Sequence, residues 1–124
     1  MFATLLQVAA GGALGASARY LTGVGAVRLF GHGFPWGTLI VNVVGSFLMG
    51  VLIVVLAQKG GMRFAPFLTI GLLGGFTTFS AFSLDAVTLF ERGQIGAAAG
   101  YVAASVVVSI AALFFGLWIA RGAV

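Results

Sequence analysis

Cysteine is absent from this sequence, and histidine and carboxylates nearly so: one His and two Asp or Glu stand among 124 residues. These absences exclude disulfide staples, thiolate metal sites and cysteine nucleophiles, and leave almost nothing for a zinc site or a Ser-His-Asp triad. Conventional enzymatic chemistry is nearly ruled out. Charge is scarce as well. Only 6% of the residues are charged, where a soluble domain carries about 25%; 61% are hydrophobic and the mean hydropathy is +1.21. So few charges cannot clothe a water-facing surface, and the solvent for most of this one is lipid. The basic residues, Arg19, Arg28, Lys59, Arg63, Arg92 and Arg121, give a net charge of +4 but no basic run. That scatter argues against a nucleic-acid partner and suits the flanks of membrane segments.

A membrane helix needs about 20 mostly apolar residues to cross a hydrocarbon core roughly 30 Å thick. Four segments qualify, at about residues 2–27, 39–57, 64–90 and 95–120. The first carries no basic n-region, so it reads as a retained span rather than a cleaved signal. The connections are short and rich in turn residues, giving a single four-span domain over 1–124 with no linker. Four spans put both termini on one face with Lys59, Arg63 and Arg121, and Arg19, Arg28 and Arg92 on the other. With basic residues balanced, the positive-inside rule sets no orientation. Insertion both ways up allows an antiparallel two-fold dimer; alternatively, interacting helices or the depth of Arg19 fix one orientation. A bundle this small fills its own centre, so the walls of a pore need a second copy. Gly11 and Gly15, Gly71 and Gly75, and Gly96 and Gly100 have the spacing that lets membrane helices approach, a spacing also common as background.

The stretch from Gly71 to Ser83, GLLGGFTTFSAFS, carries the most information. Adjacent Gly74 and Gly75 weaken a helix by about 1 kcal/mol each relative to alanine, and Thr77 and Thr78 offer hydroxyls that compete for backbone partners. Together they predict a break in the third helix near the midplane. Broken backbone at that depth is tolerated only inside protein or beside a polar cavity, where freed carbonyls serve as ligands for a small hard cation. Gly74 and Thr77 are the candidate carbonyl donors. No Gly-Lys-Ser/Thr follows, which excludes a phosphate loop; close approach of a neighbouring helix is the simpler role left open for the glycines. Beyond the break, Phe79 and Phe82 share a face of the resumed helix, with Ser80 and Ser83 on the adjacent one. Ring edges are positive, so two edges turned inward line a path for a small anion without a fixed cation to trap it. Ordinary packing is the alternative.

Asn42 is an amide inside an otherwise apolar span and needs a partner or a function. Its two N–H donors suit an anion or an interhelical hydrogen bond; Thr38 lies one turn before it on the same face. In the fourth span Tyr101, Ser105 and Ser109 recur every four residues, a stripe of hydroxyls. Such a stripe replaces part of an ion's water shell, or bonds back to carbonyls of its own helix. Arg19 either snorkels to an interface or makes a positive vestibule. Asp85 accepts an inter-helix hydrogen bond or joins the polar path, while Glu91 and Arg92 read as a solvated turn. His32, between glycines in a loop, is assigned no role.

Taken together, these segments resemble the Fluc (CrcB) family of fluoride channels over nearly the whole chain: Gly11-Gly12 through Arg19, Gly37-Thr38-Leu39 leading to Asn42, Gly71 to Ser83, and Tyr101, Ser105 and Ser109. The resemblance implies an all-α integral membrane protein of four transmembrane helices, the third broken, assembled as an antiparallel dual-topology homodimer. It further implies passive fluoride conduction through two pores and a structural sodium ion (Na+) at the dimer centre. By position, Asn42, Phe79 and Phe82 would border the anion, with Tyr101, Ser105, Ser109 and Thr38 as a polar track and Arg19 in a vestibule. Gly74 and Thr77 would give carbonyls to sodium. Asp85 stands where some members carry glutamate, one methylene longer. The implied partners are fluoride, a second copy and membrane lipid; the implied place is the plasma membrane, the inner one in a double-membraned bacterium. The implied role is to let fluoride leave the cytoplasm.

Two other classes compete. A small dual-topology drug exporter needs a buried carboxylate in its first span, and residues 2–27 contain none. A structural membrane protein without transport activity leaves the polar cluster of the third segment unexplained.

Overall fold

The computed structural model describes residues 1–123; Val124, the last residue of the expected domain, lies outside the described residues. All regular structure among them is helical: α1 (Phe2–Phe30), α2 (Trp36–Lys59), α3 (residues 66–76), α4 (Ser80–Glu91) and α5 (Ile95–Ala123). A 3-10 turn, Met62–Phe64, leads into α3. α3 begins in wide π-helical turns over Pro66–Leu73 and closes with an α-helical turn, Gly74–Phe76.

Three segments are long and apolar enough to cross a membrane: Trp36–Lys59, Met62–Glu91 taken through its break, and Ile95–Ala123. They correspond to the expected second, third and fourth spans. α1 has 29 residues, ample length, but falls outside this group in hydropathy because Gln7 and Arg19 lie within it. Both polar side chains are taken up by the backbone of the third segment. Gln7 donates through Nε2 to the Arg63 carbonyl at 3.0 Å and accepts the Phe67 N–H at 3.2 Å, and Arg19 Nε donates to the Gly75 carbonyl at 3.0 Å. Large apolar side chains lie exposed along every helix, including Phe2, Leu14, Leu48, Leu84 and Trp118, as befits a lipid solvent rather than water.

Packing brings α1 against α3 and α2 against α5, and glycine sets both contacts. A methyl placed on Gly75 would lie 2.9 Å from the Gly12 carbonyl oxygen and 3.2 Å from the Ala16 nitrogen, and Gly11 and Gly15 are closed in by the backbone of Phe67, Leu72 and Phe76. The pairs Gly11/Gly15 and Gly71/Gly75 are thus two sides of one backbone-to-backbone contact. Gly96 and Gly100 meet nothing within the chain. A second contact of this kind joins α2 to α5, where Gly50 faces Leu113 and Leu117 while Gly116 faces Phe47 and Val51. At the other end Leu39 of α2 packs on the buried cluster containing Ala98 and Tyr101 of α5. The two helices therefore run in parallel, start beside start.

The expected break is present, but three residues later than the glycine pair suggests. Gly74 keeps helical angles (φ −63°, ψ −36°), and Gly75 stays helical because it is pressed against Gly12. For Gly75, close approach of a neighbour is the role the structure supports. The chain departs from the helix at residues 77–79, midway along Met62–Glu91, with Thr77 extended (φ −90°, ψ 160°). What opens it is competition for hydrogen bonds, described next.

Candidate functional site

In an unbroken helix the Thr78 and Ala81 N–H groups would bond to the carbonyls of Gly74 and Thr77. Here they go elsewhere. Thr78 N–H donates to Asn42 Oδ1 at 2.8 Å, and Asn42 Nδ2 donates back to the Thr78 carbonyl at 2.9 Å, so the amide grips one peptide unit at both ends. Ala81 N–H, in the first turn of α4, donates to Thr78 Oγ1 at 3.1 Å, a side-chain acceptor for one of the donors a helix start leaves free. The interhelical bond weighed for Asn42 is therefore made, and it engages one of the two amide donors. Arg19 takes the Gly75 carbonyl, another group released by the break. The carbonyls of Gly74 and Thr77 accept no hydrogen bond across the break among the described residues. They are hard, neutral oxygen donors, the chemistry suited to sodium. No group of three or more His, Cys, Asp or Glu side chains is gathered among the described residues, so a cation held here would depend on backbone oxygen. Two carbonyls are part of a coordination shell, not the whole of one.

Beside the break lies a cleft of about 400 Å³ whose lining includes Asn42, Phe79, Phe82, Ser105 and Ser109. Five of the seven expected pathway residues thus share one cavity. The Phe79 and Phe82 rings sit 5.5 Å apart and tilted by 57°. Phe82 is buried, whereas Phe79 is 78% exposed within a single chain, so one wall of the cleft stands open. Ser105, only 6% exposed, and Ser109 have buried hydroxyls with no hydrogen-bond partner. Five other helical hydroxyls behave differently: Ser17, Thr22, Thr69, Ser83 and Thr88 bond back to the carbonyl four residues earlier, at 2.7–3.0 Å. Leaving a buried hydroxyl unpaired costs about 1–3 kcal/mol, and here two face the same cleft.

Tyr101 and Thr38 lie beyond this cleft. Tyr101 is fully buried, its ring 5.3 Å from that of Phe82 and tilted by 41° to it, and edge-on to Phe34 at 5.4 Å. Its hydroxyl donates to Asp85 Oδ2 at 3.2 Å, which is the inter-helix bond considered for Asp85. Thr38 and Asp85 line a second cavity of about 250 Å³ at the loop end, together with His32 and Arg92. Arg19 lines a third, of about 570 Å³, with Arg28, Thr38 and Thr78; two arginines give it positive potential. Sequence reasoning named Thr78 as a hydroxyl competing for backbone partners but not as a site residue, and left out Gln7 and Ser46, which lies one turn after Asn42 and lines the main cleft.

Comparison with known proteins identifies the family. A model of the family described as CrcB-like protein, Camphor Resistance (CrcB), matches residues 6–117. A protein of Cereibacter sphaeroides named fluoride-specific ion channel FluC is 71% identical over 122 residues, covering 98% of each chain. Proteins with the same name from a Ruegeria species and from Paracoccus denitrificans are each 58% identical; the first covers 98% of both chains, the second 96% of this chain and 95% of its own.

Proposed function

We propose, from the premise that this chain belongs to the CrcB family, that it is a fluoride-selective channel. It is a multi-pass membrane protein, not an enzyme, and in a bacterium its place is the plasma membrane. The observation that carries the reading is the pair of buried, unpartnered hydroxyls of Ser105 and Ser109 opening on the same cleft as Asn42, Phe79 and Phe82.

Fluoride is small and strongly hydrated, so it crosses only where polar groups replace its water. Hydroxyl hydrogens of Ser105 and Ser109, the remaining Asn42 N–H and the positive edges of Phe79 and Phe82 supply that replacement. None is charged, which keeps the anion from being held. Arg19 concentrates anions at the mouth while its Nε fixes the end of α3.

The finer assembly belongs to the same proposal. α1 serves as a fourth span, its Gln7 and Arg19 shielded from lipid by the third segment. An antiparallel copy, inserted the other way up, closes the open wall beside Phe79 and brings a second pair of Gly74 and Thr77 carbonyls. Sodium bound by those four carbonyls would supply a fixed charge joining the two breaks; it is structural, not transported. Conduction is passive, and the direction that matters to a cell is outward.

Purified protein in liposomes loaded with fluoride tests the reading: rapid efflux with potassium and valinomycin present and no proton gradient is expected, and vesicles that retain their fluoride would overturn it. A drug exporter would instead move cationic drugs with a proton gradient, and a scaffold would do neither. Phe79→Ile and Phe82→Ile each replace a positive ring edge by alkyl groups, and each is expected to lower efflux about tenfold while gel filtration shows the assembly intact. Unchanged efflux in both would remove the rings from the path.

A further inference from the structure

Three levels of polar side chains emerge when α2 and α5 are set side by side. The parallel course of these helices, fixed by Gly50 against Leu113 and by Leu39 against the Tyr101 cluster, places Thr38 level with Tyr101 and Asn42 level with Ser105. The next level pairs Ser109 with Ser46. Ser46 lines the cleft, and like Ser105 and Ser109 it makes no bond to the carbonyl four residues earlier, which the Asn42 backbone offers. Gly45 beside it is packed against the Thr77 side chain, which holds this face of α2 toward the break. Ser105, more than nine-tenths buried, leaves its hydroxyl unpartnered in the same cleft.

We infer that Ser46 is a further anion-contacting residue, whose hydroxyl works opposite Ser109 as a second wall of the fluoride path. A single line of donors on α5 would solvate one side of a moving ion. Donors on both helices divide the replaced water shell between two walls, so that neither binds tightly. The inference rests on the channel reading above.

Threonine and valine are nearly isosteric, so Ser46→Thr and Ser46→Val test the hydroxyl apart from packing. Single-channel fluoride current in planar bilayers is the measurement, because it samples only copies that have folded and conduct. The threonine channel is expected to carry a current within about twofold of the parent, and the valine channel about three- to tenfold less, the worth of one hydrogen bond. Ser46→Ala should match valine. Equal currents for threonine and valine would overturn the role of Ser46 while leaving the channel intact; a parent protein without fluoride current would overturn the channel reading itself.

Discussion

Asn42→Asp is expected to abolish fluoride flux, the largest functional effect of any single substitution in this chain. Two losses coincide. The Nδ2 donor to the Thr78 carbonyl becomes a carboxylate oxygen facing that carbonyl, which leaves a partly buried acceptor unpaired at a cost of about 1–3 kcal/mol. A negative charge also enters the anion's route. At an effective dielectric of about 20 and a separation of about 5 Å, like charges repel by about 3 kcal/mol, or roughly a hundredfold in rate. Efflux from liposomes should fall by at least that factor. Asn42→Ser, which keeps a neutral donor and acceptor but is too short to grip both ends of the Thr78 peptide, should be impaired less. Near-normal efflux through the aspartate variant would place Asn42 outside the path.

Gly15→Val has the largest expected effect on stability. A Cβ at this position would run into the Leu72 carbonyl and lie 2.8 Å from the Phe76 nitrogen, so α1 can admit a side chain only by moving away from α3. Overpacking costs about 1–3 kcal/mol where side chains can adjust, and the obstacle here is backbone. Arg19, one turn further along α1, would be drawn off the Gly75 carbonyl in the same movement. Heating in detergent followed by gel filtration should show loss of the folded peak about 10 °C or more below the parent. Gly25→Val, in the same helix with nothing within 4 Å, should be close to neutral. Equal behaviour of the two would mean that α1 and α3 are not locked at this contact.

How much of this was legible beforehand depended on whether the cause was local. Long apolar runs mark α2 and α5 without ambiguity, and the short connections follow. The break was anticipated from the right residues with the emphasis misplaced. Glycine propensity pointed to Gly74 and Gly75, but Gly12, more than sixty residues away in sequence, presses Gly75 into the helix; Asn42 and the Thr78 hydroxyl capture the N–H groups that would have continued it. A hydroxyl stripe at i, i+4 is readable on α5, yet whether its members bond back to their own helix is decided by their surroundings, and Ser105 and Ser109 do not. Ser46 needed the pairing of α2 with α5, which rests on Gly50 and Gly116. Gln7 was a polar interruption whose partners, Arg63 and Phe67, come close only after folding.

The contact of Gly50 with Gly116's neighbours has a bearing on temperature. Where helices meet through long side chains, warming loosens rotamers and lets the spacing drift. Here main chain rests on main chain, so the spacing of α2 and α5 beside the cleft is set by rigid backbone in van der Waals contact. Heat should quicken ions through such a gap without widening it, and preference among halides should hold nearly constant until the whole bundle gives way.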